Sequence, residues 1–150
     1  MRRNTERGFS LVELLIVVAV IGIIAAIAIP NMIASRRAAN EGTAKVKLAN
    51  AASQERFYRS TLKKNRYGSL AELQATLAGG APVLSAGDLT VPGWTFSEVP
   101  GSVTATTFGL RALPDESNPA DRSFAVFEDN ELRHCPRGGP WTRECERVSQ

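Results

Sequence analysis

Hydrophobic and polar positions divide this chain into two unlike parts. After eight mostly polar residues, MRRNTERG, comes FSLVELLIVVAVIGIIAAIAIP, with 18 apolar residues in the 22 positions from Phe9 to Pro30. Leu14 to Ile29 contains no polar side chain. As a helix this block is about 33 Å long, close to the ~30 Å hydrocarbon core of a bilayer. A helix apolar on every side belongs in lipid or inside a large assembly. No linker follows. From residue 31 the pattern becomes one-sided: Ala44, Leu48, Ala51, Ala52, Tyr58 and Leu62 recur at three- and four-residue spacing, opposite Lys45, Lys47, Asn50 and Gln54. The spacing predicts one helix, apolar over 9–30 and amphipathic over 31–64, with Gly22, Pro30 and Gly42 as its soft points.

Residues 65–150 read as a globular head. Asn65-Arg66-Tyr67-Gly68 ends the long helix, and Ser69-Leu70-Ala71-Glu72 is a capping box that opens a short one, stopped by Gly79-Gly80. Strands are predicted at Trp94 to Phe96, Val103 to Ala112, Ser123 to Glu128 and Leu132 to His134, broken by Pro100-Gly101, Pro114 to Pro119 and Asp129-Asn130. Phe108 with Leu110, and Phe124 with Val126, show the two-residue period of half-buried strands. A hairpin at Asp129-Asn130 makes the sheet antiparallel. A long helix followed by strands is an α+β arrangement. The aromatic residues Phe57, Tyr58 and Tyr67 are expected to anchor the core.

Composition changes this picture only when dissected. The chain is 43% hydrophobic with a formal net charge of +3, ordinary values for 150 residues. They exclude a disordered chain, a collagen and a polytopic membrane protein. Outside Phe9–Pro30 the apolar share falls to about 37%, that of a soluble domain. Residues 1–8 carry +2 of the charge, so the remainder is nearly neutral. Arg36-Arg37 and Lys63-Lys64-Asn65-Arg66 are basic enough to meet phosphates, but no groove-reading motif accompanies them. They are expected to be solvated helix ends, and no specific nucleic-acid partner is predicted.

Three uses of the N-terminal segment compete. It has the form of a conventional signal peptide ending at Ala26-Ile27-Ala28, of a permanent anchor, or of an anchor preceded by a short removable leader. Glu13 separates them. An acid about four residues into the apolar stretch has no use in a signal peptide and is costly in a membrane helix. No lysine or arginine lies within Phe9–Pro30 to pair with it. A cut between Gly8 and Phe9 would create an α-amino group as its partner.

The stretch Arg7-Gly8-Phe9-Ser10-Leu11-Val12-Glu13-Leu14, with the apolar run ending at Pro30, closely resembles the class III signal of type IV pilins and type II secretion pseudopilins. The likeness is strong from Arg7 to Pro30 and looser to about Tyr67. It implies the pilin roll, a long helix on a small antiparallel sheet, and a structural function rather than an enzymatic one. It implies that prepilin peptidase removes residues 1–8 by cutting after Gly8, and that Phe9 is N-methylated. Phe9, Glu13 and Pro30 would serve subunit assembly, with Glu13 paired to a neighbouring subunit's N-terminus. The implied partners are further copies of the chain in a filament, the pilus assembly machinery and inner-membrane lipid. The implied location is the inner membrane with the N-terminus cytoplasmic, then the cell surface as a filament. A pseudopilin or minor pilin is the alternative within the family, although the head lacks the acidic calcium-loop pattern of major pseudopilins. The alternative outside it is a secreted or periplasmic binding protein or enzyme with a conventional signal peptide.

Cys135 and Cys145 enclose nine residues, including Gly138-Gly139-Pro140. An export signal places them where disulfides form, and a C-terminal loop closed this way is common in the family it resembles. His134, the single histidine, adjoins Cys135, but strand neighbours face opposite ways and make a poor nucleophile–base pair. One histidine and two cysteines are too few for a convenient zinc site. The acids Asp115, Glu116, Asp121, Glu128, Asp129 and Glu131 gather around turns, with no spacing that selects a catalytic pair. The sequence has no phosphate loop, no G-x-S-x-G and no EF-hand loop. No catalytic residue, metal or cofactor is implied.

Overall fold

The computed structural model describes residues 9–62, 65–75, 82–116, 118 and 122–148. Chain contacts divide it at Arg36/Arg37 into an N-terminal unit and a head. Helix α1 spans Leu11–Phe57 and passes into a π-helical turn at Tyr58–Leu62. The head continues with the short helix α2 (Leu70–Gln74), a 3₁₀ turn at Ala86–Leu89, and strands β1 (Trp94–Glu98), β2 (Gly109–Pro114), β3 (Arg122–Phe127), β4 (Leu132–Pro136) and β5 (Glu146–Arg147). The strands form one five-stranded antiparallel meander in chain order. The α+β reading and the long helix on an antiparallel sheet are therefore observed.

In the head, Ala44, Leu48, Ala51, Ala52 and Tyr58 are buried, as the stripe predicts. They share one core with Trp94, Phe108, Leu110, Ala112, Phe124 and Val126 of the sheet side. The side chain of Leu62 lies outside the described residues. Tyr58 and Tyr67 are buried, but Phe57 is half exposed, because the helical period turns it away from the stripe. Lys45 crosses the Phe124 ring with its Nζ 4.7 Å from the centroid.

The sheet is covered on its other face as well. Ala125 and Phe127 point away from α1 and are buried with Val99 and Cys135 beneath Trp141 and Cys145. The Cys135–Cys145 disulfide joins Cα atoms 5.2 Å apart and folds the C-terminal loop over this face. Within the loop, Trp141 donates from Nε1 to Ser123 Oγ at 3.0 Å and lies under the Arg111 guanidinium. Arg133, almost fully buried, donates to both Asp129 oxygens, to Glu131 and to the Arg143 carbonyl. It ties the β3–β4 turn to the disulfide loop and holds the Asp129 carboxyl below its ordinary pKa.

Strands β1, β3 and β4 differ from the prediction by one or two residues, and the larger differences have local causes. The β2 strand starts at Gly109, not Val103, because Thr104 Oγ1 accepts the Thr106 and Thr107 amides and Ser102 Oγ bonds back to the Val99 carbonyl. Such local side-chain bonds offer threonine-rich backbone an alternative to a ladder. Pro114 does not break β2 but ends it, opposite Trp94, where a missing N–H costs little. The short helix ends at Gln74, before the expected Gly79-Gly80 stop, which lies outside the described residues. The β5 strand was not predicted: two residues carry no periodicity, and the disulfide loop brings them back to β4. The Asp129-Asn130 hairpin is as expected, with Asn130 at φ 61°.

Phe124 sits between Trp94, Lys45 and the helix, so Phe124→Ala should lower head stability by about 3–5 kcal/mol. Chemical denaturation of the full chain in detergent micelles, followed by tryptophan fluorescence, measures this. Replacing Cys135 and Cys145 together with serine should cost roughly 2–3 kcal/mol in the same assay, the chain-entropy contribution of a loop this size.

Candidate functional site

In the N-terminal unit, no described residue covers the apolar block. Phe9, Leu11, Leu14, Leu15, Ile23 and Ile27 are each at least 60% exposed, and the other large apolar residues to Ile33 are also open. This is the one helix long and apolar enough to cross a membrane, among the described residues and by length and composition. Pro30 stands within the helix, where it donates no bond to the preceding turn.

Glu13 occupies the first turn of α1. Ser10 caps the helix: its Oγ accepts the Val12 amide at 3.3 Å, and its own N–H donates to Glu13 Oε2 at 3.0 Å. Ser10-Leu11-Val12-Glu13 is thus a reciprocal cap, which the sequence spells as S-x-x-E and which the reading of Glu13 as an unpaired acid overlooked. A carboxylate here is favoured by the partial positive charge of the helix start. Phe9 adjoins this cap; Gly8 and the rest of the expected leader lie outside the described residues.

Glu55 is the residue sequence reasoning missed. It lies on the buried face of α1, four residues after Ala51 and three before Tyr58, and is fully buried. That spacing was the available signal, since Glu55 falls on the stripe itself. Its Oε2 accepts the Gly68 N–H at 3.2 Å, and Oε1 has no partner among the described residues. Burial first, then the neighbouring charges of Glu98 and Glu72, raise its pKa to about 7, against the lowering effect of the Gly68 bond and Arg66.

The remaining candidates are structural. His134 rests against Phe124 and faces Glu146 across the β4–β5 pair, while its neighbour Cys135 points to the opposite side in the disulfide. Among the described residues no three His, Cys, Asp or Glu side chains converge to hold a metal ion. Of the basic cluster, Arg66 pairs with Glu72, and Lys63 and Lys64 lie outside the described residues. The nearby Arg59 donates to Tyr67 and Asn65.

Residues 3–29 match the prokaryotic N-terminal methylation motif. The chain is 34% identical over 134 residues to the type IV major pilin protein PilA of Myxococcus xanthus, covering 79% of this chain and 59% of that protein. It is 41% identical over 66 residues to the type IV wide pilus major component PilA4 of Thermus thermophilus, covering 44% of this chain and 49% of that protein. These matches span only about half the length of either relative. No solved structure is a significant match to the chain. With the methylation motif at the start of its long helix, that helix laid on an antiparallel sheet, and two major pilins among the proteins it matches, the chain is similar to type IV pilins.

Proposed function

We propose that this chain is a structural subunit of a type IV pilus. Prepilin peptidase cuts between Gly8 and Phe9, Phe9 is N-methylated, and residues 9–30 hold the subunit in the inner membrane before it joins a filament. The observation that carries the reading is the uncovered apolar helix whose one ionisable group between Phe9 and Pro30 is Glu13. Such a surface requires lipid or copies of itself. Moving from lipid to a filament core exchanges one apolar setting for another, so the hydrophobic effect contributes little to the choice of neighbour. Glu13 supplies the discrimination. A subunit in register offers it a neighbour's α-amino group, and a misplaced one leaves a buried charge unpaired. In the single chain the Ser10 amide takes that place.

The helix then continues through Leu62 into the head, which is the part that faces water. Arg2, Arg3 and Arg7 ahead of the apolar block favour a cytoplasmic N-terminus. The function is assembly, with no catalytic step assigned to any residue. Both relatives are major pilus components, which favours the pilus over a secretion pseudopilus.

Glu13→Ala should leave membrane insertion intact but reduce sheared surface filaments at least tenfold, measured by immunoblot of membrane and filament fractions. Normal filament yield would remove the register role. Gly8→Leu should leave residues 1–8 attached, and mass spectrometry of the N-terminus distinguishes that product from N-methylated Phe9. A mature chain beginning at Ile29 would instead indicate a conventional signal peptide.

A further inference from the structure

We propose that the segment Asn65–Ala75 is fastened to α1 by a pH-operated latch. Its moving part is the Glu55 carboxyl, which when protonated stays sealed from water beneath the segment. Once it is ionised, the cost of keeping a buried charge dry outweighs its bond from the Gly68 N–H and opens the segment. Three consecutive amides carry the inference, because each donates to a carboxylate from a different element. Gly68 N–H binds Glu55 of α1, Ser69 N–H binds Glu72 of α2 at 2.9 Å, and Leu70 N–H binds Glu98 of β1. One stretch of backbone therefore joins the helix, its own short helix and the sheet.

The three acids are not equivalent. Glu72 is partly exposed and paired with Arg66. Glu98 is only half buried. Glu55 has no access to water, and one of its oxygens lacks a partner among the described residues. The groups facing it are Glu98 from β1, Glu72 from α2, Arg66 from the intervening turn and Tyr58 from the π-helical turn. Two like charges oppose its ionisation, and the one cation is already engaged by Glu72. An ionised Glu55 can recover its hydration only if the Gly68 backbone moves.

That backbone has no slack in the closed form. A Cβ on Gly68 would lie 2.8 Å from both Tyr58 Cε1 and Leu73 Cδ1. The five residues of α2 are too few to be stable alone, so the segment depends on its outside ties. Besides the carboxylates these include Tyr67 N–H to the Ala105 carbonyl and Leu84 N–H to the Leu73 carbonyl. Release of Glu55 removes this hydrogen bond to α1, while Arg59 still holds Asn65 and Tyr67 and the ties to the sheet side remain.

The direction follows from proton linkage. Glu55 has a pKa of about 7 when closed and an ordinary value of 4.5 when open. Between these values the closed form keeps a proton that the open form has lost. Opening therefore becomes more favourable by about tenfold per pH unit across that window, and levels off above it. The latch is a property of the head and does not depend on the filament reading.

Hydrogen–deuterium exchange of the full chain in detergent micelles, corrected for the intrinsic pH dependence of exchange, tests it. Peptides covering residues 68–73 should lose at least tenfold protection between pH 5 and pH 8 relative to β3 peptides. In Glu55→Gln the same peptides should show no such loss. Constant protection in the natural chain, or an unchanged pH response in the variant, overturns the proposal. Should the variant fail to protect β3, the carboxyl carbon of Glu55 in the natural chain decides: a midpoint near 7 by NMR supports the latch, and one near 4.5 overturns it.

Discussion

Ala44, Ala51 and Ala52 leave α1 with little side-chain bulk on its buried face, and the head is built by packing large side chains against that face. Larger side chains there would hold the helix away and open gaps that a core packed to crystal-like density does not tolerate. The space is filled from the opposite side by Trp94, Phe108 and Phe124, and at its edges by Leu48 and Tyr58. The small residues sit on the helix and the large ones on the sheet side, so the two surfaces interlock.

The same constraint explains why a carboxyl is buried at Glu55. Beyond Ala52 the stripe reaches the end of α1, where the helix widens to a π-helical turn and the returning chain has amides to satisfy. Buried N–H groups need acceptors, and a carboxyl on the stripe supplies one to Gly68. The solution costs desolvation of an acid, visible in its raised pKa. The cap at Ser10 and Glu13 solves the related problem of orphan amides at the other end of α1. Two glutamates on one helix therefore each accept a backbone N–H, one in the apolar block and one inside the head.

Much of the head was legible because periodicity reports burial directly. The Ala44–Leu48–Ala51–Ala52–Tyr58 stripe, the alternation at Phe124 and Val126, and the Ser69–Glu72 cap all have local physical causes. What was not legible depends on distant partners. Phe127 and Ala125 lie on the face that alternation assigns to solvent, and they are buried because the disulfide loop returns over them. Phe57 was expected inside and is half exposed, since aromatic character does not override its position on the helix. The threonines at 104, 106 and 107 have strand propensity, but their turn is organised by hydroxyl bonds instead.

By itself, the amino-acid order determined that residues 9–30 form a helix with no polar face, that one acid stands near its start, and that a one-sided helix and alternating strands follow. Each of these is a matter of composition and spacing within a few turns of chain. Only the tertiary structure decided that Glu55 is sealed from water, that Gly68, Ser69 and Leu70 are held by acids from three elements, and that the sheet is covered on both faces. Those outcomes join residues far apart in the chain, through contacts that local spacing does not encode.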